Sequence, residues 1–298
     1  MKKFVPFLMV CVGAVSYGVP ASLVKISISD EKYLPLLITS MLFFASIILT
    51  IVSSFFDRKY NFCENKAPLK LKLILFVSGF SIFCTNYFYM NSLSYVSVSI
   101  AAVLLMQSVW ITPFFQFIFK GIRITRSIIF QVLFVLIGTV LATNVLQDYK
   151  ISVVGILLGI ASAISYSVTL YATSCVSENI SSVSKSKFMI YGAFTLSLFP
   201  LLIQSKNIHE NVLYVSSWGA VISLFSVLIP LLSFTFFMSK IPGSLGPLIS
   251  SFELPSAIFF GYILLGETVN LSQIVGIFII IFTISFSSIR ASLNYVDE

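Results

Sequence analysis

Ten runs of about 20 mostly apolar residues, set apart by short polar breaks, constrain this chain more than any other feature. They cover residues 4–26, 34–56, 69–92, 97–119, 127–146, 151–175, 187–204, 213–239, 243–266 and 271–291. The hydrocarbon of a bilayer offers no water to backbone N–H and C=O groups, so a segment crossing it must satisfy them internally, as an α-helix or in a closed barrel. The runs exceed barrel-strand length and lack strict alternation. The sequence therefore predicts an all-α integral membrane protein with ten transmembrane helices. Composition agrees: of 298 residues, 58% are hydrophobic and 10% charged, where soluble domains carry about 25% charged residues. The shortest and most polar run is 187–204.

Met1-Lys2-Lys3 ahead of an apolar run resembles a signal peptide. The run continues through Tyr17, Gly18 and Pro20 to Lys25 without a clear small-x-small cleavage site, so it reads as a retained first span. The net charge of +7 is unevenly spread. With the N-terminus inside, every Lys and Arg falls on the inner side except Lys25, Lys32, Lys150 and Lys206. Positive loops stay cytoplasmic, which places both termini in the cytoplasm of a plasma-membrane (cell inner membrane) protein. The basic excess is a topology signal, helped by anionic membrane lipid, and not a nucleic-acid footprint. Cys11, Cys63, Cys84 and Cys175 show no disulfide or zinc spacing. No resident cofactor or metal is expected.

The chain divides into two halves, 1–147 and 148–298. Ser16-Tyr17-Gly18 is similar to Ser165-Tyr166-Ser167. The break at Tyr95-Val96-Ser97 matches Ile241-Pro242-Gly243, and Lys120-Gly121-Ile122-Arg123 matches Leu265-Gly266-Glu267-Thr268. The offsets run from 145 to 149 residues. Five spans per half is an odd number, so the second repeat is expected inverted. Inverted repeats are a common transporter plan, with the substrate site near the midplane at their interface.

Glu253 is the acid set deepest in an apolar run. A charge there costs at least about 2.5–3.5 kcal/mol. Helical spacing puts Gly246, Ser250, Ser256, Ala257 and Gly261 on or near its face. Pro255 removes a backbone donor and frees a carbonyl near Ser251, and Pro242 and Pro247 disturb the start of the same span. Glu253 either binds an amine or carries a transported proton, or it is a neutral acid hydrogen-bonded to another helix. Span 4 presents Ser108, Thr112 and Gln116 as one polar stripe. Ser108 is the counterpart of Glu253, and Trp110 that of Pro255. Span 3 carries Asn86, Tyr87, Tyr89 and Asn91. Span 1 carries Gly13, Ser16, Tyr17 and Pro20, and span 6 carries Gly155, Gly159, Ser162, Tyr166, Thr169 and Thr173. Small residues let helices approach closely, so the Gly and Ser positions read first as packing. Tyr17, Tyr166, Asn86, Tyr87 and Trp110 suit a cavity for a semi-polar ligand, together with Glu253, Ser250, Ser108 and Thr112. Tyr33, Tyr149 and Tyr214 read as interfacial anchors. Lys25 is expected to snorkel outward. His209 and Glu267 receive no site role.

Three stretches carry a family resemblance: "SYGVPASLVK" closing span 1, "YFYMNSLSYVSVSIAAVL" across spans 3 and 4, and "FELPSAIFFGYILLGETV" in span 9. With them the chain, over about 4 to 290, resembles the EamA-type transporters of the drug/metabolite transporter superfamily. It departs from that pattern at Tyr17, where the family usually has Trp, and at Ile122, where the first copy often has an acid. The resemblance implies a ten-helix bundle in two inverted five-helix repeats. Its central cavity would be lined by spans 1, 3, 4, 6, 8 and 9, and it would move small metabolites by alternating access, often exporting amino acids or related compounds. The spans hold no Lys or Arg at depth, so a neutral or amine-bearing substrate fits better than a multiply anionic one. Protons are a candidate coupling ion; the sequence sets no oligomeric state. Multidrug efflux or uptake on the same fold is the alternative, ahead of a non-transporting scaffold. An intramembrane enzyme would need clustered acid–base or metal groups, and the one histidine lies in a loop.

Overall fold

The computed structural model describes residues 5–28, 31–60, 68–92, 94–96, 98–121, 125–143, 152–174, 180–204, 211–241, 245–266 and 269–294. His209, Glu267, Ile122, Arg123, Tyr149, Pro242, Cys63 and Cys175 lie outside them, as do Lys2, Lys3, Lys150 and Lys206. Among the described residues every regular element is helical. The first half holds α1 (Val5–Ser16), α2 (Val19–Ser27), α3 (Leu34–Tyr60), α4 (Leu69–Ser92), α5 (Val98–Leu105), α6 (Ser108–Lys120) and α7 (Arg126–Thr143). The second holds α8 (Val153–Ser174), α9 (Ser182–Gln204), α10 (Val212–Ser223), α11 (Ile229–Phe237), α12 (Leu245–Ser250), α13 (Glu253–Leu265) and α14 (Leu271–Asn294).

Among the described residues, eight helical segments are long and apolar enough to cross a bilayer, four from each half. Each half ends in a shorter apolar stretch, Arg126–Ala142 in α7 and Leu271–Phe286 in α14. The outer surface exposes Phe55, Phe130, Phe199, Leu213 and Phe282, side chains suited to acyl chains.

The halves repeat each other in detail. Span 4 is broken between α5 and α6, and span 9 between α12 and α13; α6 starts at Ser108 and α13 at Glu253, 145 positions later. Both helices end on a glycine in the left-handed region, Gly121 at φ 65° and Gly266 at φ 67°, a conformation in which a Cβ is strained. Packing is mirrored too. In one half α4 lies against α8 and α9; in the other, α11 lies against α1 and α10 against α3, while α7 pairs with α14. Small residues make these crossings possible. Gly79 abuts the Met189 backbone, Gly192 the Phe76 backbone, and Gly276 the α7 backbone at Gly138 and Ala142. Gly155 and Gly159 meet Tyr95, Val96 and Leu104, in keeping with a packing role.

Two buried clusters flank the centre. One gathers α3, α4, α9 and α10–α11 around Met41, Leu49 and Met189. The other gathers α1, α6–α8 and α11–α14 around Val109, Phe234, Leu248 and Ile280. Tyr89 touches both.

The seventh span departs from its sequence boundary. Lys185, expected in the break ahead of the run at 187–204, and Lys187, expected at its first position, lie within α9, 4% and 7% exposed. A neighbouring helix supplies the partner of Lys185. Lys185 Nζ donates to the Thr173 carbonyl at 3.0 Å, at the C-terminal end of α8, where a cation is favoured. Ser184 bonds Ser53 at 3.1 Å and Ser186 bonds Thr235 at 2.7 Å.

Candidate functional site

Three helix interruptions, each beside a proline, build the centre of the molecule. Pro20 has no N–H for the Ser16 carbonyl, and the first span breaks into α1 and α2 at Tyr17-Gly18. There Tyr17 N donates to Ala14 O at 3.2 Å and Gly18 N to Val15 O at 3.1 Å. In span 8 a π-helical turn, Leu224–Leu228, separates α10 from α11. Its register is visible in Ile229 N–H donating to Leu224 O. The next bond in that register would come from Pro230, which has no N–H; instead Ser16 Oγ donates to Phe225 O at 2.8 Å. In span 9 Pro255 leaves the Ser251 carbonyl without its helical donor, and Leu254 N takes it at 3.2 Å. Irregular backbone of this kind is tolerated at membrane depth where it is buried in protein or lines a cavity.

The interruptions set the carboxylate. Glu253 is the first residue of α13, so its carboxyl group sits at the interruption of span 9. Ser256, one turn on, donates to Val15 O at 2.5 Å. Gly18 lies against Ser256 and Ala257 with no room for a Cβ. The start of α13 is thereby pinned to the break in span 1.

A cavity of about 120 Å³ lies at this junction. Its wall includes Tyr17, Pro20, Val24 and Lys25 of span 1, Thr85, Asn86, Tyr89 and Met90 of α4, and Leu105 and Met106 at the α5–α6 break. Tyr166 and Thr169 of α8, Ser226 of the π turn, and Glu253 and Ala257 of α13 complete it. Pockets that bury drug-sized ligands measure about 300–1,000 Å³, so this one suits a compact solute. Tyr17 packs edge-on to Tyr166, centroids 5.8 Å apart, and at 6.0 Å from Phe234. Tyr17, Tyr89 and Tyr166 each lie within electrostatic reach of Glu253. Yet the Tyr166 hydroxyl and Glu253 Oε2 are buried without a hydrogen-bond partner; the two groups approach without closing a bond. Asn86 is committed in part, its Nδ2 donating to Ile82 O at 2.8 Å.

Four residues singled out from the sequence thus meet in one wall: Glu253, Tyr17, Asn86 and Tyr166. Five stand elsewhere. Tyr87 turns away from the cavity and stacks on Phe83 at 5.4 Å. Trp110 is 45% exposed on the outer surface, its Nε1 donating to Gln107 Oε1 at 2.9 Å. Ser108 and Thr112 are fully buried, with hydroxyls that have no partner. Ser250 is buried behind the wall beside Tyr166. Lys25 corrects the snorkelling expectation in part: it is exposed, and it also lines the cavity. Tyr89, Thr85 and Ser226 were not singled out as cavity residues; Ser226 is signalled only by the proline four residues later.

A helical bundle of two matching halves, with broken spans around a small, mostly apolar cavity that holds one carboxyl group, is a common plan of multi-pass membrane transporters. The EamA-like transporter family matches at residues 5–144 and again at 153–289, and the chain belongs to that family, within the drug/metabolite transporter superfamily. The family's members are transporters rather than enzymes. A solved structure described only as "Crystal structure of protein" superposes with a TM-score of 0.73 at 15% identity, covering 96% of this chain and 97% of the other. At that identity it supports the fold alone. No curated protein matches the sequence.

Proposed function

We propose that this protein exports a small neutral or amine-bearing metabolite, such as an amino acid or a related compound, across the plasma membrane by alternating access. Ten helices in two inverted five-helix repeats, 1–147 and 148–298, would form the bundle, with both termini cytoplasmic. The observation that carries the substrate preference is the Glu253 carboxylate in the wall of a compact, tyrosine-rich cavity. A multiply anionic solute would meet that carboxylate unfavourably, and a bulky drug exceeds the space. On the topology inferred from the basic loops, Lys25 and Met90 lie toward the outer ends of their spans, so the cavity reaches the external side and this conformation is outward-facing. Glu253, Tyr17, Asn86 and Tyr166 are the proposed contacts. Ser250 supports them from behind. Ser108 and Thr112 belong to the closed half of the path, while Tyr87 and Trp110 lie too far round their helices to touch solute in this state.

The test is an untargeted comparison of extracellular metabolites from cells with and without the gene, followed by counterflow of the enriched compound in proteoliposomes. Enrichment of small amines or neutral metabolites supports the proposal; enrichment of phosphorylated compounds alone refutes the substrate class. Glu253→Gln separates the roles of the carboxylate. If an imposed pH gradient drives the same flux in the variant, Glu253 carries no coupling proton.

A further inference from the structure

Tyr166 and Glu253 face the cavity with the same deficit. Tyr166 is 3% exposed, yet its hydroxyl has no partner, and neither has Glu253 Oε2. Both groups line the cavity. Buried polar groups are normally paired; the carboxyl oxygen calls for a donor, and the tyrosine hydroxyl, even when it turns its O–H toward Glu253, keeps lone pairs that can accept a further N–H. The charged groups on the cavity wall are Glu253 and, at the exposed end of α2, Lys25. Around the carboxylate stand the rings of Tyr17, Tyr89 and Tyr166.

Building on the transport reading above, we propose that Glu253 and Tyr166 form a subsite for a primary ammonium. One N–H donates to Glu253 Oε2 and a second to Tyr166 Oη, while Tyr17 and Tyr89 enclose the carbon that bears the nitrogen. The ammonium points toward Glu253, and the far end of the ligand lies toward Lys25, so that end is neutral or anionic and not a second cation. The subsite discriminates by hydrogen count. A trimethylammonium is attracted by the carboxylate and by aromatic faces, but it has no N–H and leaves both oxygens unpaired. An alcohol has one hydrogen to give and no charge.

The experiment uses the full-length protein in nanodiscs with three probes of one carbon skeleton: propylamine, propyltrimethylammonium and 1-propanol. Affinity is read by isothermal titration on the unaltered chain. Propylamine is expected to bind about 10-fold or more tighter than either other probe, the scale of one hydrogen bond to a charged group. Tyr166→Phe removes the hydroxyl and keeps the ring, and is expected to erase most of the preference over the trimethyl probe. Glu253→Gln is expected to erase the preference over 1-propanol. Equal or tighter binding of propyltrimethylammonium to the unaltered chain overturns the proposal, whether or not the variants fold. So does a Tyr166→Phe protein with unchanged selectivity. Flux of a cell-derived solute is measured on the same purified protein reconstituted in proteoliposomes. Flux without amine selectivity overturns the subsite and leaves the transport reading standing. Amine selectivity without any flux supports the subsite and refutes transport.

Discussion

The crossing of α4 and α9 allows a prediction with a worked magnitude. Gly79 faces the backbone of Met189, and Gly192, one turn along α9, faces the backbone of Phe76, one turn before Gly79. A Cβ on Gly79 would be driven into the Met189 carbonyl, with the carbonyl carbon 2.6 Å and the Cα 2.9 Å away. A Cβ on Gly192 would meet the Phe76 carbonyl, its carbon 2.8 Å away. Carbon atoms pack at about 3.5–4.0 Å, and the obstacle is backbone, so no rotamer change relieves it. The helices must part by about 1 Å. Overpacking costs about 1–3 kcal/mol and occasionally more. The upper end applies because the separation loosens the whole α4–α9 contact. At about 2–4 °C per kcal/mol for a chain of this size, Gly79→Ala is expected to lower Tm by about 6–12 °C, and Gly192→Ala by a similar amount. The double variant should fall well short of the sum, since helices already parted by one methyl group have made room for the other. Heating in detergent followed by fluorescence-detected size-exclusion chromatography on the four proteins measures this. An unchanged Tm in the single variants, or fully additive losses in the double, refutes the reasoning.

The same assay reads four further expectations. Ser108→Ala and Thr112→Val delete buried hydroxyls that have no partner, so stability should stay level or rise by up to about 1 kcal/mol; a larger loss would show a bond formed in the membrane. Ser16→Ala takes away the donor that serves Phe225 O in place of Pro230 and should cost about 1–3 kcal/mol, with wild-type stability counting against that role. Lys185→Met removes a charged donor from the end of α8, for an expected loss of about 1.5–3 kcal/mol. Pro255→Ala restores a donor where Leu254 N already holds the Ser251 carbonyl, so it should change stability by less than about 1 kcal/mol, and a loss beyond that would make the proline the cause of the break.

Much of this architecture is legible in the sequence because bilayer physics leaves few options. Apolar length gives the helices, and the small residues Gly155 and Gly159 give close crossings. Pro20 and Pro255 mark two of the breaks. Pro230 marks the third less plainly, because a π turn keeps the helix axis nearly continuous. The break between α5 and α6 has no proline at its counterpart position at all. It is bracketed instead by Gln107, whose Nε2 donates to Val103 O at 3.1 Å and whose Oε1 accepts from Trp110, an arrangement that composition does not announce. Hydropathy also misplaced the start of α9, because Ser184, Lys185 and Ser186 are polar by type yet buried by virtue of partners on α3, α8 and α11. Helical phase explains the rest. Asn86 and Tyr89 are three residues apart and share a face, whereas Tyr87 is about 100° round from Asn86 and turns away.

The comparison of Ser108 with Glu253 shows what the repeat holds constant and what it lets vary. Both are the first residue of a helix that starts in mid-span, and both keep an oxygen without a partner. The break is therefore the shared inheritance, and a helix N-terminus pointing into the bundle is its product. Its leading N–H groups are largely taken up by the preceding turn, Val109 N by Met106 O and Leu254 N by Ser251 O, so it carries only part of a free helix end's positive charge. In the first half it meets an uncharged, fully buried serine among packed side chains. In the second half it meets a carboxylate, and the cavity lies there. The residual dipole lowers the cost of an acid at that depth. The repeat thus provides two equivalent positions for a charge and uses one. A solute recognised through its ammonium would be held by α13 of the second half, with the first half closing around it through neutral groups and, at the far end, Lys25.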